Sequence, residues 1–307
     1  MTNVAFIGLG NMGEPMARRV RAAGHDLVVH DQRREVAATL EAAGAVWATS
    51  VREAVRDADV ICLSLPGPRQ VEDVVGGPGG VLANAKSTAL LVDHTTNGLD
   101  TIYSVAERCA AGGLGFLDAP VSGGSAGANA GTLVVMVGGS SAHLEAARSV
   151  LEAFGDPVLH LGGVGTGTVA KLVNNQLYLC GEVLFQEGMV LGAKAGINPG
   201  VLLAMLERTG VAGTHVRTAP RMLAREFTGP GFALALAEKD VALALAAGRE
   251  LAVPLAATSA AHQRFVEALA AGMGEQRSFA TLAMIERASN FEVPRVVAQG
   301  QASAHGA

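Results

Sequence analysis

Aromatic side chains make up only 4% of the 307 residues, so the interior must be assembled from alanine, valine and leucine rather than around large rings. Cysteine is scarcer still. Cys62, Cys109 and Cys180 are an odd set with no metal-type spacing, and they read as buried free thiols in a reducing compartment. The net charge is only −5 and no basic run interrupts it, which argues against nucleic acid or an anionic membrane as a partner. No apolar stretch of membrane length lacks charge: Leu177 to Ala195 contains Glu182, Glu187 and Lys194. The first core strand follows Met1 within a few residues, leaving no room for a secretory leader, so the expected location is cytoplasmic. Half of the residues are hydrophobic, and at this length they can bury two cores.

What is present is concentrated at the start. Val4-Ala5-Phe6-Ile7 is an apolar run, and Gly8-Leu9-Gly10-Asn11-Met12-Gly13 follows at once. A helical pattern through Met16, Ala17 and Val20 leads to Asp26-Leu27-Val28-Val29-His30-Asp31. Strand, glycine turn, helix, second strand and terminal acid together read as a dinucleotide site. Gly8 permits the tight turn, Gly10 lets the backbone approach a pyrophosphate, and Gly13 allows close packing of helix on strand. N–H groups at the helix start face the phosphates. Asp31 stands where a carboxylate binds the adenosine ribose hydroxyls and repels a 2′-phosphate, which favours NAD; Arg33 and Arg34 follow and leave NADP open.

Further strand-like runs occur at 60–65, 90–93, 115–118, 133–137 and 158–161, and helical stretches separate the earlier ones. This alternation predicts parallel βαβ units with helices on both faces, an α/β Rossmann-type N-terminal domain over 1–163. From Thr168 to Ala193 one long helix is apolar on most of its circumference and is expected to be buried. It joins an all-α C-terminal domain over 194–296, with the interdomain helix taken as 164–193 and a frayed tail as 297–307. Asn198-Pro199 marks a helix start by cap and first-turn proline.

Three segments outside the glycine turn can carry chemistry. Asp118-Ala119-Pro120-Val121-Ser122-Gly123-Gly124 reads either as an anion-binding loop or as a plain turn. Lys171 and Asn175 are four apart on one helical face, where an ammonium either snorkels to solvent or serves an oxygen whose charge changes during hydride transfer. Lys239-Asp240 interrupts an Ala/Leu run, and its charges read as one solvated face.

Taken in order, these blocks resemble the β-hydroxyacid dehydrogenase family over about Val4 to Arg287. Gly8 to Met16 looks like the cofactor signature, Asp118–Gly124 with Gly131-Thr132-Leu133 like the substrate loop, Gly165–Asn175 like the catalytic block, and Lys239-Asp240 like the pair near the nicotinamide. The resemblance implies a dehydrogenase of a small 3-hydroxy acid using NAD or NADP. Lys171 would be the general acid/base, Asn175 would orient the substrate, and Ser122, Gly123 and Gly124 would hold its carboxylate. Gly8, Leu9, Gly10, Asn11, Met12, Gly13, Asp31, Gln32, Leu65, Pro66, Gln70, Thr96 and Lys239 would line the cofactor. No metal is implied. A homodimer or homotetramer through the helical domain is expected. His94 and Asn97-Gly98 depart from the family's commoner serine-threonine-isoleucine wording, and Arg217 with Arg221 either serve a doubly anionic substrate or form one solvated face. Imine reductases share the architecture but generally lack a lysine at the position of Lys171; a non-catalytic dinucleotide-binding module is the other alternative.

Overall fold

The apolar runs of the first half pair into one sheet. The computed structural model describes residues 2–211 and 213–295 and divides into two compact units, Met1–Leu172 and the chain from Val173 onward. In the first unit the strands are β1 (Asn3–Ile7), β2 (Asp26–His30), β3 (Val46–Trp47), β4 (Val60–Leu63), β5 (Leu90–Asp93), β6 (Gly115–Asp118), β7 (Val121–Ser122), β8 (Leu133–Gly139) and β9 (Gly155–Gly162). Their order is β3-β2-β1-β4-β5-β6-β8-β7, with β9 also paired to β8. The chain runs outward from β1 to β3 and then restarts at β4 on the other side of β1. That reversal opens a crevice at the carboxyl ends of β1 and β4, the usual place for a ligand in such a sheet.

Every residue of β4 and β5 is buried, as continuous apolar strands covered on both faces should be. The alternation is clean in β1: Val4 and Phe6 belong to one hydrophobic cluster, Ala5 and Ile7 to the other. From β3 to β6 all pairings are parallel. Beyond β6 the expectation of a parallel sheet fails. There β8 runs antiparallel to both β6 and β7 and only β9 restores a parallel pairing. The chain between β6 and β8 is spent on β7 and the short helix Gly124–Ala130, so no crossover is long enough to bring it back in the same direction.

The second unit is helical, built from the later turns of the long helix Thr166–Lys194 and from Pro199–Thr209, Gly213–Leu223, Leu234–Glu250, Ala256–Ala270 and Leu282–Ser289. Asn198 caps as its sequence predicts, its Oδ1 accepting from the N–H groups of Gly200 (2.9 Å) and Val201 (3.3 Å). Arg225 pairs with the buried Glu286 and donates to the Val293 carbonyl, and Glu286 accepts the Val293 N–H, so one ion pair fastens the end of the described chain.

Two expectations about burial need correction. The long helix is not buried all round: Leu179, Val183, Met189 and Val190 are in the core, whereas Val173, Leu177, Leu184 and Leu191 form an exposed stripe on another face. Composition cannot separate two apolar faces of one helix, because each repeats at the same spacing. Cys62 and Cys109 are buried, but Cys180 is only partly so. Among the described residues no helix is long and apolar enough to cross a membrane. The reading of a tail at 297–307 falls outside the described residues.

Candidate active site

The glycine turn at the end of β1 is dictated by contacts on two of its glycines and by space at the third. Gly8 has φ +93°, and a Cβ there would collide with the Ser64 carbonyl at the end of β4. A Cβ on Gly13 would run into the Gly8 carbonyl. Gly10 instead faces open space, the room a pyrophosphate needs. The following helix, Gly13–Ala22, begins without a side-chain cap, so its first turn suits an anion. At the end of β2, Asp31 Oδ2 accepts the Leu9 N–H at 2.8 Å and Oδ1 accepts the Arg33 N–H at 2.9 Å. Burial pushes the Asp31 pKa up, but these bonds and the Arg33 charge outweigh it and hold the carboxyl below its ordinary value. Leu65 donates its N–H to Thr95 Oγ1 at 3.1 Å, joining the ends of β4 and β5 beside the half-buried Thr96. The glycine turn, Asp31, Leu65 and Thr96 therefore cluster along the carboxyl edge of one sheet. Gln32, Pro66 and Gln70 are exposed. The residues present fit NAD or NADP: a cradle at Gly10, an uncapped helix start and a charged ribose acceptor.

Next to this edge, β5 and β6 both end in buried acids, Asp93 and Asp118, which are partners in the sheet register. Asp93 accepts the Thr95 N–H at 2.9 Å and the Asn97 side-chain amide at 2.5 Å, and burial lifts its pKa to about 7. His94 donates from Nδ1 to the Ala119 carbonyl at 2.7 Å and packs against Phe6 and Phe154; burial lowers its pKa to about 4, so it is a neutral ring. His94 and Asn97 thus tie the turn after β5 together. Packing around His94 and the bond from Asn97 to Asp93 give both residues a part in holding this turn.

Asp118 does what its sequence did not disclose. Its Oδ1 accepts the Gly165 N–H at 2.9 Å and its Oδ2 the Thr168 N–H at 2.7 Å, so it caps the long helix. A Cβ on Gly138 would collide with the Asp118 carboxylate and one on Gly167 with the Met136 carbonyl, which explains glycine at both positions. Lys171 lies one turn beyond Thr168 and is half-buried. The apolar run ending in an acid, as at Asp93, was the available signal. Asp118→Asn keeps the volume but points an amide at one of the two donors. It should lower unfolding stability by about 1.5–3 kcal/mol, the worth of one hydrogen bond to a charge, measurable by urea denaturation. An unchanged midpoint would show that the cap carries no stability. On the other side of Asp118, Ser122 sits in β7, paired with β8 and so part of the sheet rather than a free loop. Gly123 and Gly124 follow in left-handed backbone, φ +137° and +63°, and are exposed.

One turn past Lys171, Asn175 is 4% exposed. Its Nδ2 donates to Asp240 Oδ2 at 2.6 Å, and its Oδ1 accepts from Asn174 at 3.0 Å. Lys239 Nζ is 3.0 Å from Asp240 Oδ1. The expected solvated face at 239–240 is therefore wrong for Asp240, which is buried. Ala237, Val241, Ala244 and Ala247 are buried too, and that helical period already places residue 240 on the inner side. Arg217 and Arg221, by contrast, are exposed and bonded to Thr214 and Glu226.

Two family profiles cover the chain in succession. The NAD binding domain of 6-phosphogluconate dehydrogenase matches residues 3–163, and the NAD-binding region of NADP-dependent 3-hydroxyisobutyrate dehydrogenase matches 165–285. A 2-(hydroxymethyl)glutarate dehydrogenase of Eubacterium barkeri is 35% identical over 294 residues, 94% of this chain and 97% of that protein. The solved 3-hydroxyisobutyrate dehydrogenase of Mycobacterium tuberculosis, studied with L-serine, superposes with a TM-score of 0.83 at 33% identity, covering 93% of this chain and 99% of that one. An imine reductase from Pseudomonas sp. superposes at 0.59 with 23% identity over 92% and 98% of the two chains, a likeness of fold alone.

Proposed function

The chain belongs to the β-hydroxyacid dehydrogenase family, and within it we propose an NAD-preferring enzyme that moves hydride between the nicotinamide and the β-carbon of a small 3-hydroxy acid. The observation that carries this reading is the pair of hydrogen bonds that Asp118 accepts from the N–H groups of Gly165 and Thr168. It ties the strand leading into Ser122–Gly124 to the helix bearing Lys171. A carboxylate gripped at one and an alcohol presented to the other need that kind of fixed separation.

When bound, the nicotinamide supplies or accepts the hydride. The chain's own groups do the rest. Ser122 and the N–H groups of Gly123 and Gly124 would anchor the carboxylate. Lys171 Nζ would take the alcohol proton during oxidation and return it during reduction. Asn175, its amide set by Asp240, would hold the substrate oxygen with its remaining N–H. Arg217 and Arg221, already partnered at the surface, favour a singly over a doubly anionic substrate. Lys239 would lie toward the cofactor. The exposed Leu177, Leu184 and Leu191 stripe supports a homodimer or homotetramer through the helical part.

A panel of hydroxy acids with NAD, followed by NADH absorbance, tests the activity. Turnover of a small 3-hydroxy acid is expected. None with any panel member, cofactor binding being intact, would sink the reading. Ser122→Ala should raise KM more than it lowers kcat, because the carboxylate stays charged throughout and the contact is equal in ground and transition states. With two backbone donors left, the expected loss is about 1–2 kcal/mol. An equal loss for an uncharged alcohol analogue would remove Ser122 from the carboxylate site.

A further inference from the structure

The turn after β2 contains two arginines, and a 2′-phosphate on the adenosine ribose would need one of them. Neither is in a position to wait for it. Arg33 folds back on Asp31 through its own N–H at 2.9 Å, with Nε at 3.5 Å. Arg34 is held more firmly. Its Nη1 and Nη2 donate to the two carboxylate oxygens of Glu41 at 2.7 and 2.9 Å, a fork-on-fork pair. Its guanidinium carbon lies over the ring of Trp47, at the end of β3, 4.7 Å from the centroid, so the same cation also makes a cation–π contact. The sequence presents Arg34 as a phosphate reader three residues beyond the ribose acid; the fold gives that cation two other partners.

We infer that Glu41 and Trp47 form a clamp that withholds Arg34 from the cofactor, making Glu41 a specificity residue that keeps this chain on NAD. The inference rests on the NAD preference proposed above. Selectivity then has two parts. Asp31 repels the 2′-phosphate directly, and Glu41 occupies the cation that would otherwise offset the repulsion. The clamp is half-exposed, with the Arg34 and Glu41 side chains at 55% and 33% of their full exposure, so its grip is modest. An exposed ion pair and a cation–π contact together are worth on the order of tenfold in affinity. The clamp therefore tunes NADP binding within reach of a single substitution.

The test is equilibrium binding of NAD and NADP, which differ only in the 2′-phosphate, to wild type, Glu41→Ala, Arg34→Ala and the double variant. Calorimetry gives the affinities. The emission of Trp47, the one tryptophan of the sequence, reports whether Arg34 leaves its ring. Glu41→Ala, which removes the ion pair and leaves the Trp47 contact, should tighten NADP about two- to fivefold with NAD little changed. NADP should then shift the Trp47 emission more than NAD does. In the double variant both the gain and the extra shift should vanish, because the reader is gone. A gain that survives without Arg34 would mean that removing the Glu41 charge acts alone, and the clamp would be wrong while NAD preference stands. No gain in Glu41→Ala would equally overturn it. A wild-type protein that binds NADP more tightly than NAD would overturn the NAD preference and the clamp together.

Discussion

Turnover of the Lys171→Ala enzyme is expected to fall by about a hundred- to ten-thousandfold, the usual cost of losing a positioned acid/base. NAD affinity should hardly change. The cradle residues Gly8 to Gly13 and Asp31 directly follow β1 and β2, and Asp31 is bonded to Leu9 and Arg33 rather than to the helix bearing Lys171. Lys171 belongs to the helix fastened by Asp118, and its removal leaves that cap in place. Lys171→Arg separates charge from proton transfer: it keeps a cation at the site but cannot give up a proton near neutral pH. Both variants should therefore be slow, the arginine one with substrate KM closer to wild type. Stopped-flow measurement of NADH formation with saturating hydroxy acid checks this. A wild-type rate in Lys171→Ala would end the catalytic assignment, and a large loss of NAD affinity would recast the lysine as a cofactor residue.

How far the chain could be read in advance depended on whether a feature is local. The β1 turn and Asp31 were legible because glycine spacing and the terminal acid are backbone requirements within one βαβ unit. The helices of the second half were legible from periodicity, apart from which apolar face of the long helix turns inward. What escaped was long-range. The Asp118 cap joins residues 47 and 50 positions apart. The Asp240–Asn175 bond spans 65 positions and reverses the solvent-facing reading of residue 240. The antiparallel β8 follows from chain length spent on β7, which a strand-by-strand reading did not count. His94 drew attention as an oddity of wording, and only the Ala119 carbonyl and two phenyl rings around it explain it.

Glu182→Gln is expected to stabilise the protein, and only above mildly acidic pH. Glu182 lies in the core of the helical unit, 1% exposed, and neither carboxylate oxygen has a hydrogen-bond partner of normal geometry. Burial pushes its pKa up to about 7, with the Ser278 hydroxyl offsetting part of that. The nearby Tyr178 is pushed up to about 12, by burial first and then by the Glu182 charge. A folded-state value above the ordinary 4.5 means that the unfolded chain releases the proton first. The contribution of Glu182 to stability is thus intact below pH 4.5 and falls between 4.5 and 7. Above that it levels off at a deficit of about 3 kcal/mol, because each pH unit between those two values costs about 1.36 kcal/mol. Glutamine has nearly the same volume and no charge to desolvate, so it escapes the deficit. Other buried acids such as Asp93 and Asp118 also titrate, but they do so in both proteins and cancel in the difference. Urea unfolding of the two proteins should give curves that nearly coincide at pH 4.5 and separate at pH 8, the variant being the more stable by about 3 kcal/mol. A gap of constant size across that range would mean that glutamine acts through packing, and that Glu182 carries no buried charge at neutral pH.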